Sequence, residues 1–282
     1  MERKVIVSTD CVCDLTKEII EKYEIPVMHY YVLMEQGRRF RDIEEVYSEN
    51  LIEYMTEGHM AHSSAAPVEE YRGFFSKLAA YKKPIVHLCM AGGVSSGYER
   101  AAEAAKDFDN IYVIDSKQLS AGLGLLVICA AEMAQQGAEV EKILQMLDLQ
   151  KEQVVTSFIA DTVEYLYKGG RVSKRIYSIC KTFLIKPVLI LKNGNMGVGS
   201  VHIGKTWSCA KKYIKAILKD KKNIDTRMAF LITSGCSYEM QQMIYKEVEK
   251  YQSFEQIIHN DASATISSNC GPGAFGILFM CK

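Results

Sequence analysis

The chain of 282 residues carries 34 basic and 34 acidic side chains, a formal charge of +0, and 48% apolar residues. The charge balance provides no electrostatic footprint for nucleic acid, and the apolar fraction and length suit a globular protein of two domains. Nine cysteines are scattered without a Cys-x-x-Cys, and Met1-Glu2-Arg3-Lys4 leads into an apolar strand rather than a secretory signal, so reduced thiols and a cytoplasmic location are expected.

The first half alternates strand and helix. Val5-Ile6-Val7-Ser8 is a short apolar strand ending at Thr9-Asp10, and Cys11-Val12-Cys13 either continues it or turns. Asp14 or Thr16 then caps a helix to about residue 22. One strand is expected over residues 25–32, followed by a polar loop carrying Phe40-Arg41-Asp42. Ser48 starts a short helix, and Pro67 with Glu69 and Glu70 opens another, because proline and acids favour the first turn. His59-Met60-Ala61-His62 has the spacing of one helical turn but no third metal ligand, and reads as a surface pair. Residues 85–90 and 111–114 read as strands, each followed by helix. The longest apolar stretch, residues 119–134, is interrupted by Gly122, Gly124 and Glu132; it is too short to span a bilayer and reads as a buried helix. This βαβ rhythm implies an α/β fold with a mostly parallel, doubly wound sheet.

A domain boundary is expected after a helix over residues 140–149, dividing the chain into residues 1–152 and 153–282. The second domain reads as α+β. Residues 154–160 form a strand and 162–167 a helix ending at Gly169-Gly170. Residues 188–191 and 198–203 form a hairpin around Asn193-Gly194. A helix (208–218), a strand (228–234), a helix (238–251) and a strand (276–280) follow, and Lys219-Asp220-Lys221-Lys222 ends a solvated helix.

Five turns carry small or polar residues at element ends: Thr9-Asp10-Cys11, Ser63-Ser64-Ala65-Ala66, Gly93 to Gly97, Gly169-Gly170-Arg171 and Gly271-Pro272-Gly273. In Ala91-Gly92-Gly93-Val94-Ser95-Ser96-Gly97, strand, small-residue turn and helix follow one another. That arrangement aims backbone N–H groups and hydroxyls at an anionic or acyl ligand, or else is glycine serving turn geometry alone. The first and third turns end strands, on the rim where open α/β sheets bind ligands.

These residues resemble the DegV family, bacterial fatty-acid-binding proteins that deliver acyl chains to a fatty-acid kinase. Thr9-Asp10-Cys11-Val12-Cys13-Asp14-Leu15 is similar to the family's T-D-S-T-x-D-L, and Phe40-Arg41-Asp42 to its Y-x-D. Ser63-Ser64-Ala65-Ala66 resembles T-S-Q-P, and Val94-Ser95-Ser96-Gly97-Tyr98 resembles L-S-G-T-Y. Asp115-Ser116 follows, then Tyr165-Leu166-Tyr167-Lys168-Gly169-Gly170-Arg171-Val172 resembles Y-L-x-K-G-G-R-I. Ile185-Lys186-Pro187-Val188-Leu189 and Gly271-Pro272-Gly273-Ala274 complete the series, in family order over nearly the whole chain. The resemblance implies a Rossmann-like N-terminal domain, an α+β C-terminal domain and a ligand in the cleft between them. It implies that Ser95 holds the carboxylate of a long-chain fatty acid, aided by Ser63 and Ser64, with Arg171 supplying positive charge; Ser96, in the same turn as Ser95, is expected to add a further hydroxyl donor. Asn269 stands where the family has a histidine near the ligand head, and can donate and accept but carries no charge. An apolar tunnel for the tail is expected from the Ile-, Leu- and Met-rich second half.

The expected function is therefore fatty-acid binding without catalysis, cofactor, metal, nucleic acid or membrane span, with a fatty-acid kinase subunit as partner. The alternative is a serine hydrolase, because Gly93-Val94-Ser95-Ser96-Gly97 also fits G-x-S-x-G, with Asp115 or Asp161 and His202 or His259 completing a triad. Against it, Ala91 and Gly92 intervene between strand and elbow, and no His-Gly-Gly loop precedes it.

Overall fold

The computed structural model describes residues 3–181, 185–219 and 222–282, so Met1, Glu2 and, from the basic cluster, Asp220 and Lys221 lie outside it. The first half comprises β1 (Ile6–Asp10), α1 (Lys17–Lys22), β2 (Val27–Met28), β3 (Tyr31–Leu33), β4 (Arg39–Arg41), α2 (Ser48–Thr56) and β5 (His62–Ser64). It continues with α3 (Val68–Ala79), β6 (Ile85–Cys89), α4 (Gly97–Ala105), β7 (Ile111–Asp115), α5 (Ala121–Gln135) and α6 (Val140–Gln150). Then come β8 (Val154–Val155), β9 (Ser157–Ile159), α7 (Glu164–Lys168), α8 (Lys174–Cys180), β10 (Ile185–Lys192) and β11 (Asn195–Ile203). The chain ends with α9 (Thr206–Leu218), β12 (Ile224–Ser234), α10 (Tyr238–Glu249), β13 (Gln256–Asp261), α11 (Ala264–Cys270) and β14 (Ala274–Cys281).

The fold is α/β. Four parallel strands form one sheet in the order β2-β1-β6-β7. Every residue of β6 is buried, as a central parallel strand covered on both faces requires. On one face Tyr71 and Phe75 of α3 and Ala101 and Ala104 of α4 pack with Met28 and Cys89. On the other, Leu123, Leu126 and Val127 of α5 pack with Val7, Val86 and Leu88, so the sheet is doubly wound. The expected single strand over residues 25–32 is two strands. At the break the Tyr30 N–H bonds Cys11 Sγ (3.2 Å) and its carbonyl accepts the Asp42 N–H (2.9 Å), which takes the chain off the first ladder. β3 joins a separate antiparallel sheet, β4-β3-β5, and Phe40, expected in a loop, pairs with Val32 within it.

The second half builds a seven-stranded sheet, β11-β10-β9-β14-β12-β13, with β8 beside β14. It is antiparallel except for β12 and β13. The strand expected over residues 154–160 divides at Thr156, whose hydroxyl donates to Gln118 Oε1 (2.7 Å). The β10–β11 hairpin turns as expected on Asn193 (φ 50°) and Gly194 (φ 76°), the left-handed pair of a type I′ turn.

Helix α5 explains the long apolar stretch. Phe230 and Ile232 of β12 and Leu278 and Met280 of β14 belong to the same buried cluster as α5 and the parallel sheet. A helix buried on all sides is apolar all round. Its glycines allow close approach: a Cβ on Gly122 would lie 2.1 Å from Thr156 Oγ1, and one on Gly124 2.7 Å from the Cys13 carbonyl oxygen.

Helix α11 docks the second half onto the first. The carboxylate of Asp42 accepts the Ala264 N–H (2.9 Å) and the Thr265 N–H (2.8 Å). That of Asp14 accepts the Ser263 N–H (2.8 Å) and the Ser120 hydroxyl. Four N–H groups are unpaired at the start of any helix, and a carboxylate there also meets the positive end of the helix dipole. Burial raises the Asp42 carboxyl above the ordinary carboxylate value and pushes Asp14 up to about 7, against the opposing bonds from Ser120 and Ser263. Since folded Asp14 holds its proton more tightly than unfolded Asp14, this share of stability is full below about pH 4 and lost as pH rises through about 7. Urea unfolding of wild type is expected to lose about 2–3 kcal/mol more between pH 5 and pH 8 than the Asp14→Asn variant, a difference set by the proton uptake. Equal losses would assign the titration elsewhere.

Candidate functional site

The turn after β6 is shaped by its backbone. The N–H groups of Val94 and Ser95 bond the Ala91 carbonyl (3.0 and 3.2 Å), which brings Ser95 to the start of α4. Ser95 Oγ accepts the Gly97 N–H (3.1 Å) and lies 3.2 Å from the Tyr30 hydroxyl. Tyr30 donates to Asp10 Oδ2 (3.2 Å); burial, and then the Asp10 charge, push its hydroxyl well above the ordinary value, so it keeps its proton. With the tyrosine proton committed to Asp10, the Ser95 hydroxyl is the donor in the Ser95–Tyr30 bond, and it must rotate away from Tyr30 to meet an anion. Gly97 makes the Ser95–Tyr30 contact possible, since a Cβ there would lie 1.7 Å from the Tyr30 hydroxyl oxygen. The tip of the β10–β11 hairpin closes over the turn: a Cβ on Gly93 would lie 2.4 Å from the Gly194 carbonyl oxygen.

The two glycines of Lys168-Gly169-Gly170-Arg171 have separate causes. Gly170, at φ 77°, ends α7 while the Arg171 N–H reaches back to the Leu166 carbonyl (2.8 Å), the bonding of a Schellman cap. Gly169 admits Asn269, whose Oδ1 would be 2.4 Å from an added Cβ. Arg171 donates to the Gly169 carbonyl and to Ser63 Oγ (3.4 Å), and Asn269 Nδ2 also donates to Ser63 Oγ (3.0 Å). Among the described residues no carboxylate pairs with Arg171, and burial lowers its guanidinium from the ordinary value.

Ser63, Ser95, Arg171 and Asn269 thus share the wall of one narrow cavity, with Tyr30 and Thr265. Ser64 and Ser96 do not share it. Successive strand residues face opposite ways, so Ser64 turns from the cavity that Ser63 faces, and its hydroxyl donates to the Ala65 carbonyl (3.2 Å). Ser96 is exposed at the N-terminus of α4. Tyr30 and Thr265 were absent from the expected set. Thr265 is 2% exposed, and its hydroxyl, near the Asp42 carboxylate, makes no well-formed hydrogen bond. Thr265 and Asn269 stand four residues apart on α11, which places both on one face of that helix.

A second narrow cavity adjoins the first; Leu119, Phe158, Ile266 and Cys270 wall both. It extends to Ile232, Phe275 and Leu278. Its hydroxyl-bearing residues bond into the protein, Ser120 to Asp14, Thr156 to Gln118, Ser157 to Tyr213, Thr233 to Asp261 and Ser234 to the Gly271 carbonyl. Carbon therefore dominates the wall. The apolar residues come from both halves, Leu119 from the first and the remainder from the second. An open groove of about 1860 Å³ elsewhere has charged walls of both signs, among them Lys17, Glu18, Glu49 and Asp261.

Among the described residues no hydrolase triad forms around Ser95, whose hydrogen-bond partners are Tyr30 and Gly97. Asp115 bonds Lys117 and the Gly92 N–H, Asp161 bonds Lys186 and Thr206, and His259 contacts Thr233. His202 lies on β11, paired with Lys186 of β10. His59 and His62 share no helix: His59 follows α2 and contacts Glu35, while His62 begins β5.

The comparisons agree with this architecture. The family model described as "Uncharacterised protein, DegV family" matches residues 4–282. A DegV domain-containing protein of Caldanaerobacter subterraneus subsp. tengcongensis is 26% identical over 282 residues, spanning 98% of each chain. A fatty-acid-binding DegV family protein from Thermus thermophilus superposes with a TM-score of 0.88 at 24% identity, covering 99% of this chain and 100% of that one. A stearic acid-binding protein from Eubacterium ventriosum superposes at 0.85 and 24% identity, covering 100% and 99%. The motif order, the doubly wound sheet joined to a mixed one, and a family match over almost every residue lead to one assignment: the chain belongs to the DegV family.

Proposed function

We propose that the protein binds one long-chain fatty acid, its carboxylate against Ser95, Ser63 and Arg171, with Asn269 and Thr265 completing the donor set. The tail occupies the adjoining apolar cavity. The observation that carries this reading is a half-buried guanidinium with no carboxylate partner, sharing a wall with serine and threonine hydroxyls. A carboxylate leaving water requires several donors, and charge-assisted bonds are the strong kind. Each methylene taken from water contributes about 0.8 kcal/mol, so a long acyl chain offers roughly 10 kcal/mol before the cost of ordering it. Relatives of the same fold that bind fatty acid, one of them stearic acid, support the ligand class.

In this reading the protein performs no chemistry, because Ser95 has no neighbouring base, and acts in the cytoplasm as a carrier with a fatty-acid kinase subunit as its partner. Residues 1–152 and 153–282 are its two domains, with the ligand between them. Asn269, in the position where the family resemblance implies histidine, leaves Arg171 as the one cation of the donor set. No helix among the described residues is long and apolar enough to cross a membrane.

Native mass spectrometry of protein purified from cells, followed by lipid extraction, is expected to find one fatty acid per chain. Ser95→Ala is expected to weaken binding by about 1–3 kcal/mol, the penalty for a charged acceptor losing a buried donor, and Thr265→Val by about 1 kcal/mol, both measured by displacement titration. Unchanged affinity in Ser95→Ala would remove that serine from the head-group site. A fluorophosphonate probe is expected to leave Ser95 unlabelled, and stoichiometric labelling would restore the hydrolase reading.

A further inference from the structure

Beneath the Ser95 turn lies a second polar cluster, joined to that turn through the Asp10–Tyr30 bond, whose histidine and cysteine the fatty-acid reading does not use. Asp10 ends β1, and His87 and Cys89 alternate along the neighbouring β6 so that both face α3 and α4. All three are fully buried, and their ligand-type atoms lie within 4.8 Å of one another. Asp10 has no lysine or arginine partner among the described residues; its oxygens accept the hydroxyls of Tyr71 (2.8 Å) and Tyr30 (3.2 Å) and the Met90 N–H (3.3 Å). Burying an ionised carboxylate is costly without a compensating positive charge. His87 Nε2 is a buried ring nitrogen without a hydrogen bond, although Asp10 Oδ1 is only 3.3 Å away. The other ring nitrogen, Nδ1, lies 3.0 Å from Ser8 Oγ. The edges of Tyr71, Phe74 and Phe75 fix the ring plane.

We propose that Asp10, His87 and Cys89 bind one zinc ion. Thiolate, imidazole and carboxylate together suit zinc, whereas calcium and magnesium favour oxygen alone. Tetrahedral bonds of about 2.0 Å place neighbouring oxygen and nitrogen ligands about 3.3 Å apart, the separation found between Asp10 and His87. With the ion bound, His87 Nδ1–H donates to Ser8 Oγ and the Nε2 lone pair faces the cluster, the usual support for a metal-bound histidine. Coordination replaces the Cys89 thiol proton, which leaves to solvent, and the ion neutralises the Asp10 charge.

The test uses the full chain, reduced, stripped with a chelator and titrated with Co²⁺ as the spectroscopic substitute. One equivalent is expected to bind with a thiolate-to-cobalt charge-transfer band, and Zn²⁺ to displace it. Cys89→Ser is expected to lose the band, while Cys209→Ser, which alters a cysteine in the separate core of the second sheet, keeps it. X-ray absorption on the zinc-loaded wild type requires no variant to fold. One sulfur at about 2.3 Å among nitrogen and oxygen ligands at about 2.0–2.1 Å is expected. Absence of uptake, a band that survives in Cys89→Ser, or a sulfur count other than one overturns the proposal.

Discussion

Asp14 and Asp42 aim their buried oxygens at the backbone that opens α11, and much else depends on that contact. The helix has seven residues, Ala-Thr-Ile-Ser-Ser-Asn-Cys, a composition with little intrinsic preference for helix. Ser263 caps it locally by accepting the Ile266 N–H, but Ser263, Ala264 and Thr265 present their own N–H groups to the two aspartates. Short helices are marginal unless tertiary contacts hold them. Here those contacts come from the other half of the chain, and the helix they hold carries Thr265 and Asn269 into the cavity wall.

The cavity is electrostatically asymmetric for the same reason. Asp10, Asp14 and Asp42 are sealed behind donors, so their charges are directed into hydrogen bonds rather than into the cavity. Arg171 faces it, and among the described residues no carboxylate pairs with it. Hydroxyls around it can rotate, which lets the same residues bond each other without ligand and an oxyanion with it. A nucleophile needs a base beside it; Ser95 has a tyrosine held protonated by burial and by Asp10.

Helix α5 gives the two sheets a common interior. Its residues pack with Leu88 on one side and Leu278 on the other, and Leu119, just before its start, walls both cavities. The polar cavity therefore borders the apolar one at the seam between sheets, where the first turns of α5 are apolar and buried.

The order of residues determined whatever depends on near neighbours. Periodicity and flanking breakers located β6, α5, α3 and the Asn193-Gly194 hairpin, because a buried strand, a buried helix and a type I′ turn each leave a mark within a few residues. The ordered turns, above all Lys168-Gly169-Gly170-Arg171, pointed to the family and to four of the residues that share the cavity. Tertiary structure decided the rest. The break at His29-Tyr30 comes from Cys11 and Asp42, β5 exists by pairing with β3, and α11 depends on a carboxylate 222 residues away. Ser63 and Ser64 look equivalent as a dipeptide, yet the pleat turns one toward Arg171 and the other away. Local propensity is encoded along the chain, whereas facing, pairing and burial arise only when distant segments meet, and the cavity is made of such meetings.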